Sequence, residues 1–272
     1  MPGFPIGHPV EKRRNEMECD ATVVKRSHGR AVDEMRPIRI VRRFTRAVPG
    51  SVLIEAGFDD GSPRTVVLCT ASVEESVPMW RKGQGAGWVT AEYAMLPGST
   101  TPRKSRERSR TDSRSSEIQR LIGRSLRMAV DLKRLGERTI TIDCDVLEGY
   151  GGTRTLAITG GMIALTDAVG SLCVQENAVS GVAPLAESPM VERIAAVSVG
   201  LVGGAAMLDL DYPEDSTAEA DCNVVMTASG KFVEVQATGE RAAIAPERLA
   251  ELLTLAQKGI FHVFEAIDRA VG

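Results

Sequence analysis

Between Thr139 and Leu172 an apolar, β-rich run gives way to Glu148-Gly149-Tyr150-Gly151-Gly152-Thr153-Arg154-Thr155, and this in turn to an apolar run of helical character. No other stretch limits the possible folds as much, because a strand must end in a glycine turn and the chain must restart there as a helix. Glycine lets the backbone take left-handed angles and approach other groups closely. A helix start leaves backbone N–H groups without partners and favours negative charge, and an arginine beside it can grip two oxygens at once. Taken alone, the stretch fits an ordinary strand-to-helix turn as well as an anion site, since glycine pairs are common at such junctions.

Charge distribution says more than net charge. The 272-residue chain is 43% hydrophobic and 25% charged with a formal charge of −3, an ordinary globular balance with no global pull toward nucleic acid. Locally, Pro102–Arg114 holds the bases Arg103, Lys104, Arg106, Arg108, Arg110 and Arg114 against Glu107 and Asp112. Ala205–Asp221 holds Asp209, Asp211, Glu214, Asp215, Glu219 and Asp221 and no base. One region is suited to phosphate and the other to a cation, although such runs are often only solvated faces. Cys19, Cys69, Cys144, Cys173 and Cys222 show no CxxC spacing, which reads as free thiols in a reducing compartment. No apolar stretch of membrane-spanning length and no export-signal core is read, so no membrane role and a cytoplasmic location are expected.

Residues 1 to about 35 are polar and punctuated by Pro and Gly, and read as a loosely ordered extension. Strands are predicted at Ile38–Arg43, Ser51–Ala56 and Thr65–Val73, the last two joined by an Asp59-Asp60-Gly61-Ser62-Pro63 turn. A Gly-rich segment, Gly83–Tyr93, precedes the basic stretch. Ser116 is placed to cap a helix from Glu117 to about Leu135, stopped by Gly136. After the glycine turn and its helix (to about Val174), β pairs recur at Ile194–Leu201 with Ala206–Asp211, and at Asn223–Thr227 with Lys231–Ala237. Pro246 opens a terminal helix. Val66–Ser72 echoes Val224–Ser229, a hint of two related halves. Strands grouped before helices predict an α+β fold.

Asp209-Leu210-Asp211 alternates as in a strand, which would put both carboxylates on one face. Asp215 follows, and Asp221 stands at the entry of an apolar run. Such carboxylates either hold Mg²⁺ or supply a general acid of raised pKa, and a solvated acidic turn is the plainer alternative. An anion clamp and a carboxylate cluster together are what phosphoryl transfer needs. His8, His28 and His262 sit in no catalytic or ligating pattern.

Several ordered motifs carry a resemblance. Leu68-Cys69-Thr70-Ala71-Ser72-Val73-Glu74-Glu75, Lys82–Tyr93, Glu117–Leu126 and Asp143-Cys144-Asp145-Val146-Leu147, with the glycine turn and Asp209–Thr227, resemble the bacterial RNase PH family from about Gly29 onward. The resemblance implies two β-α halves related by an approximate twofold, with mixed sheets packed against helices. It implies residues 1–28 as an extension and 29–272 as the catalytic domain. The implied activity is phosphate-dependent 3′→5′ trimming of tRNA precursors with release of nucleoside diphosphates, and nucleotide addition in reverse. The implied assembly is a homohexameric ring, a trimer of dimers.

Matched motif by motif, Arg114, Gly152, Thr153 and Arg154 would bind phosphate. Asp215 and Asp221 would be catalytic and hold Mg²⁺, and Arg103 and Arg106 would bind RNA. A catalytically silent RNA-binding subunit of an exosome-like ring is the rival expectation. The chain departs from the family with Tyr150 in place of an aspartate and Gly98 in place of an arginine. The turn Gly57–Arg64 is longer, and the stretch after Arg106 is about two residues shorter.

Overall fold

Apolar side chains at alternate positions build the first sheet, from β1 (Ile38–Arg42), β2 (Gly50–Ala56), β3 (Thr65–Glu74), β4 (Trp88–Met95) and β5 (Thr139–Glu148). In the computed structural model, which describes residues 26–106, 113–174 and 184–271, the spatial order is β1-β2-β3-β5-β4. Neighbours are antiparallel except β4 and β5, which run parallel. In β5 the residues Ile140, Ile142, Cys144 and Val146 are fully buried, while Thr141, Asp143 and Asp145 alternate to the other face. The Asp59–Pro63 segment turns the β2–β3 hairpin, as its residue types predict. Strand β4 went unread because Gly83, Gly85 and Gly87 dominate its approach, although buried Val89, Ala91 and Tyr93 carry the alternation.

The second sheet, β6 (Ile194–Val202), β7 (Ala205–Leu208), β8 (Ala220–Thr227) and β9 (Phe232–Gly239), is antiparallel in the order β7-β6-β8-β9. The echoing segments fall on β3 and β8, an interior strand of each sheet. Each group of strands is followed by a long helix, α3 (Thr153–Cys173) or α5 (Pro246–Val271). The fold is α+β, with two halves that each carry one sheet and one long helix.

Helix α3 lies between the sheets, against β2, β3 and β5 on one side and β6 and β8 on the other. It is apolar nearly all round, as a helix packed between two sheets must be. Contrary to the reading above, α3 is by length and composition apolar enough to cross a bilayer, but 72% of that window is buried inside the protein. Gly160 permits its close approach to the first sheet, since a Cβ there would come within 2.7 Å of Ile54 Cγ2 and 2.8 Å of Cys69 Sγ. Helix α5 covers β6 and β7 and reaches β1.

Two helix boundaries differ from expectation. Helix α1 (Ser113–Arg127) starts before Ser116 and stops earlier than predicted. The chain then leaves helical geometry because Val130 bridges to Met190, and Asp131 N-H bonds to Pro189 O. A short α2 (Leu132–Leu135) begins afresh, with the Asp131 carboxylate accepting from the backbone N–H groups of Lys133 and Arg134.

The segment read as loosely ordered also differs where it is described. Arg26, Arg30 and Arg36 are each at most 5% exposed, and all three bond to carboxylates of the second half. Pairing with distant acids holds a segment whose own sequence shows no periodicity. Residues 1–25, with Cys19 and His8, and the bases Arg108 and Arg110 lie outside the described residues.

Candidate active site

The glycine turn delivers the local geometry its residue types require. Gly151 and Gly152 take φ of +85° and +69°, the second as the residue preceding α3. A Cβ on Gly151 would stand 2.5 Å from Leu210 O, so only glycine lets the turn press against the second half. Thr153 and Arg154 form the first turn of α3, where backbone N–H groups have no partner four residues back. The Tyr93 hydroxyl donates to Thr153 Oγ1 at 2.9 Å and fixes that side chain. Arg154 Nη1 donates to Gln236 Oε1 at 3.1 Å and Glu117 Oε1 at 3.4 Å. Its Nε and Nη2 have no acceptor among the described residues. Arg114, in the first turn of α1, lines the same cleft.

The acidic run separates into two groups. Strand β7 ends at Leu208, so the predicted strand through Asp209–Asp211 is not formed. Asp209 has φ +54°, and its carboxylate accepts from Arg36 Nη2 at 2.7 Å, Arg36 Nε at 2.9 Å and Arg36 N at 2.8 Å. Asp211 instead caps α4 (Tyr212–Thr217) in a reciprocal box with Glu214. Glu214 accepts from Arg26 Nε at 2.8 Å and Nη2 at 2.9 Å, and Arg30 Nη2 reaches both Asp211 and Glu214 at 3.3 Å. Burial pushes the Asp209 carboxyl up, but the Arg36 charge and hydrogen bonds, with Arg30, outweigh it and leave it below the ordinary range.

Among the described residues Asp215 and Asp221 have no such arginine clamp, and both face the cleft. Desolvation pushes both carboxyls above the ordinary value. Asp215 adds like-charge repulsion to Asp221, while Arg154 pulls both down and Arg114 pulls Asp215 down. Asn223 Nδ2 donates to Asp221 Oδ2 at 3.4 Å, and Asp221 Oδ1 is buried without a hydrogen-bond partner. An orphaned carboxylate oxygen beside a second carboxylate fits Mg²⁺, which commonly takes one or two protein carboxylates and completes its shell with substrate phosphates and water. Among the described residues no cluster of three or more His, Cys, Asp or Glu forms a complete metal cage.

The sequence-predicted residues Arg114, Gly152, Thr153, Arg154, Asp215 and Asp221 thus line one cleft of about 670 Å³. Arg103 and Arg106 are exposed on the preceding loop and do not line it, whereas Lys104 and Thr100 of that loop do. Sequence reasoning missed Asn223, Glu240 and Arg241 in the wall. Glu240 and Arg241 follow the end of β9, and only the β8–β9 register brings them there. Tyr150, the departure at the glycine turn, places its ring 6.3 Å from that of Tyr212.

Comparison with known proteins places the chain by family and fold. Residues 34–169 match domain 1 of the 3′ exoribonuclease family and residues 192–259 match domain 2. Ribonuclease PH of Corynebacterium kroppenstedtii is 51% identical over 248 residues, covering 90% of this chain and 92% of that one. Among solved structures, the Archaeoglobus fulgidus exosome with RNA bound to the active site superposes with a TM-score of 0.73 at 20% identity, covering 90% of this chain and 93% of its own. An archaeal exosome core gives 0.66 at 18% identity, covering 86% and 87%. These two share the fold. The paired family domains, the curated relative and a cleft formed from both halves show that the chain belongs to the RNase PH family of 3′ exoribonucleases.

Proposed function

We infer that the protein trims the 3′ ends of tRNA precursors by phosphorolysis, with inorganic phosphate as co-substrate and nucleoside diphosphates as products. The observation that carries this reading is the shared cleft, where the α3 start and Arg114 face Asp215 and Asp221. Arg114, the free nitrogens of Arg154 and the N–H groups of Gly152 and Thr153 hold phosphate. A phosphate oxygen attacks the phosphorus of the terminal phosphodiester and the P–O3′ bond breaks. The terminal nucleotide leaves as its diphosphate, and the released 3′-oxygen takes up a proton. Fixing the nucleophile in line and neutralising the charge on the reacting phosphates supply the rate enhancement. Asp215 and Asp221, with carboxyls shifted upward, are placed to deliver that proton. Alternatively, with both carboxyls ionised, Mg²⁺ held by the pair would neutralise negative charge developing on the leaving oxygen, and the proton would then come from solvent.

Arg103 and Arg106 guide the incoming strand through backbone phosphates. A homohexamer built as a trimer of dimers is the assembly proposed, and the buried unpaired thiols Cys69, Cys144 and Cys222 support a reducing, cytoplasmic setting. A silent RNA-binding subunit would have no use for an anion cradle facing two carboxylates of one cleft.

The test is digestion of an RNA with a 3′ tail, with and without phosphate. Nucleoside diphosphates should appear only with phosphate, and excess diphosphate should extend the tail. Monophosphates released without phosphate would mean a hydrolytic nuclease instead.

A further inference from the structure

Arg36 belongs to no motif singled out in the sequence, yet among the described residues it is the side chain bonded both to the glycine turn and to the acidic segment. Its Nη1 donates to Tyr150 O at 2.7 Å and its Nη2 to Gly151 O at 3.3 Å, while Nε and Nη2 hold both oxygens of Asp209. Thr65, the buried first residue of β3, grips the same turn from the opposite chain direction. Its Oγ1 donates to Gly151 O at 2.6 Å and accepts from Tyr150 N at 3.0 Å.

We propose that Arg36, assisted by Thr65, is a positioning residue that orients the anion-binding turn and fixes its distance from Asp215 and Asp221. The argument rests on peptide geometry. A trans peptide is planar with its C=O and the following N–H pointing in opposite directions. Drawing the carbonyls of Tyr150 and Gly151 toward Arg36 therefore turns the N–H groups of Gly151 and Gly152 away from it. Both glycines line the cleft, and neither has an alternative partner among the described residues for those N–H groups.

The guanidinium charge on the carbonyls polarises the same peptides and makes the N–H groups better donors to an anion. At its other end Arg36 holds Asp209, two residues before the cap of α4, and Arg26 and Arg30 lock that cap. Asp215 follows on this clamped helix. One buried side chain thus sets the spacing between nucleophile and proton donor. Arg36 touches neither phosphate nor RNA in this scheme.

The inference rests on the phosphorolytic reading, and the wild-type enzyme provides the arm that separates them. If the wild type releases no diphosphate, the reading of the reaction fails. If it does, the positioning role is decided by steady-state kinetics of Arg36→Lys in the full chain, below its melting transition. Lysine keeps the charge opposite Asp209 but cannot donate to two carbonyls and two carboxylate oxygens together. The KM for phosphate should rise about tenfold or more, the factor carried by one lost hydrogen bond to a charged group, and kcat should fall.

The KM for RNA should stay within about twofold of wild type, since no RNA contact is lost. A purely structural role predicts unchanged KM values and a rate scaled only by the folded fraction, which would overturn the proposal. Should Arg36→Lys not fold, the near-isosteric Thr65→Val carries the test. Its phosphate KM should rise about threefold with RNA KM unchanged, while an unaltered phosphate KM would refute the orienting role.

Discussion

Asp209, Asp211 and Glu214 lie within a few residues of Asp215 and Asp221, yet the two groups live in opposite electrostatic worlds. The first three are nearly fully buried and neutralised by Arg26, Arg30 and Arg36. The second pair lies in the cleft wall with no arginine clamp among the described residues, and desolvation raises both carboxyls. Where Asp209 is held below the ordinary carboxylate range by its arginine, Asp221 is pushed above it by burial and by Asp215. A run of like charge is therefore not a unit. Partners from remote parts of the chain decide which acids hold the fold and which remain for chemistry.

The sharpest way to break this contrast is substitution on each side of it. Asp221→Asn should lower kcat by roughly 10²–10⁴-fold, the range for loss of a positioned acid or base, while RNA binding and melting temperature survive. Retained turnover would remove Asp221 from the site. Asp209→Ala should do the reverse, because it strands the buried charge of Arg36. The expected cost is about 3–5 kcal/mol of stability, read as a large drop in melting temperature. Turnover per folded molecule should fall far less than in Asp221→Asn.

The two groups also differ in the sign of their pH dependence. The depressed Asp209 carboxyl binds its proton more weakly in the fold than in the unfolded chain, whose value is 3.8. Its contribution is present above that value and is lost as pH falls from there through the folded pKa. Asp209→Asn should therefore flatten the acid limb of the stability curve. The raised Asp221 carboxyl works oppositely, since its ionisation disfavours the fold as pH rises through its folded pKa. Asp221→Asn should leave neutral-pH stability unchanged or higher; a clear loss would mean that the acid is structural after all.

Smaller effects sharpen the anion side. Arg114→Ala should raise the phosphate requirement roughly 10- to 100-fold, with much less loss of RNA affinity. Equal losses of both would refute its assignment to phosphate. Changing both Arg103 and Arg106 to Ala should leave chemistry intact and reduce the slope of log affinity against log salt by about 1.4, or 0.7 per contact on a single strand. An unchanged slope would show that the loop does not touch the RNA backbone.

Much of this was legible in the residue order. The Gly151-Gly152-Thr153-Arg154 turn is local, so its strand, left-handed glycines and helix start follow from neighbours in sequence. The long terminal helix and the Asp59–Pro63 hairpin were readable for the same reason. Asp209–Asp211 misled because alternation marks a strand only where the backbone pairs, and here the paired strand β7 stops at Leu208. Arg26, Arg30 and Arg36 lie in a segment without periodicity and have partners more than 170 residues away. Nothing nearby in sequence announces such a pairing. Glu240 and Arg241 reach the cleft only through strand register, a property of the folded sheet.

The most direct measurement follows isotopically labelled inorganic phosphate during digestion of a 3′-tailed RNA. The cleft geometry predicts that the label enters the released nucleotide as its terminal phosphate in wild type, and does so roughly 10²–10⁴-fold more slowly with Asp221→Asn. Unlabelled nucleoside monophosphates from the wild type would contradict it, because water and not the anion held at the α3 start would then be the nucleophile.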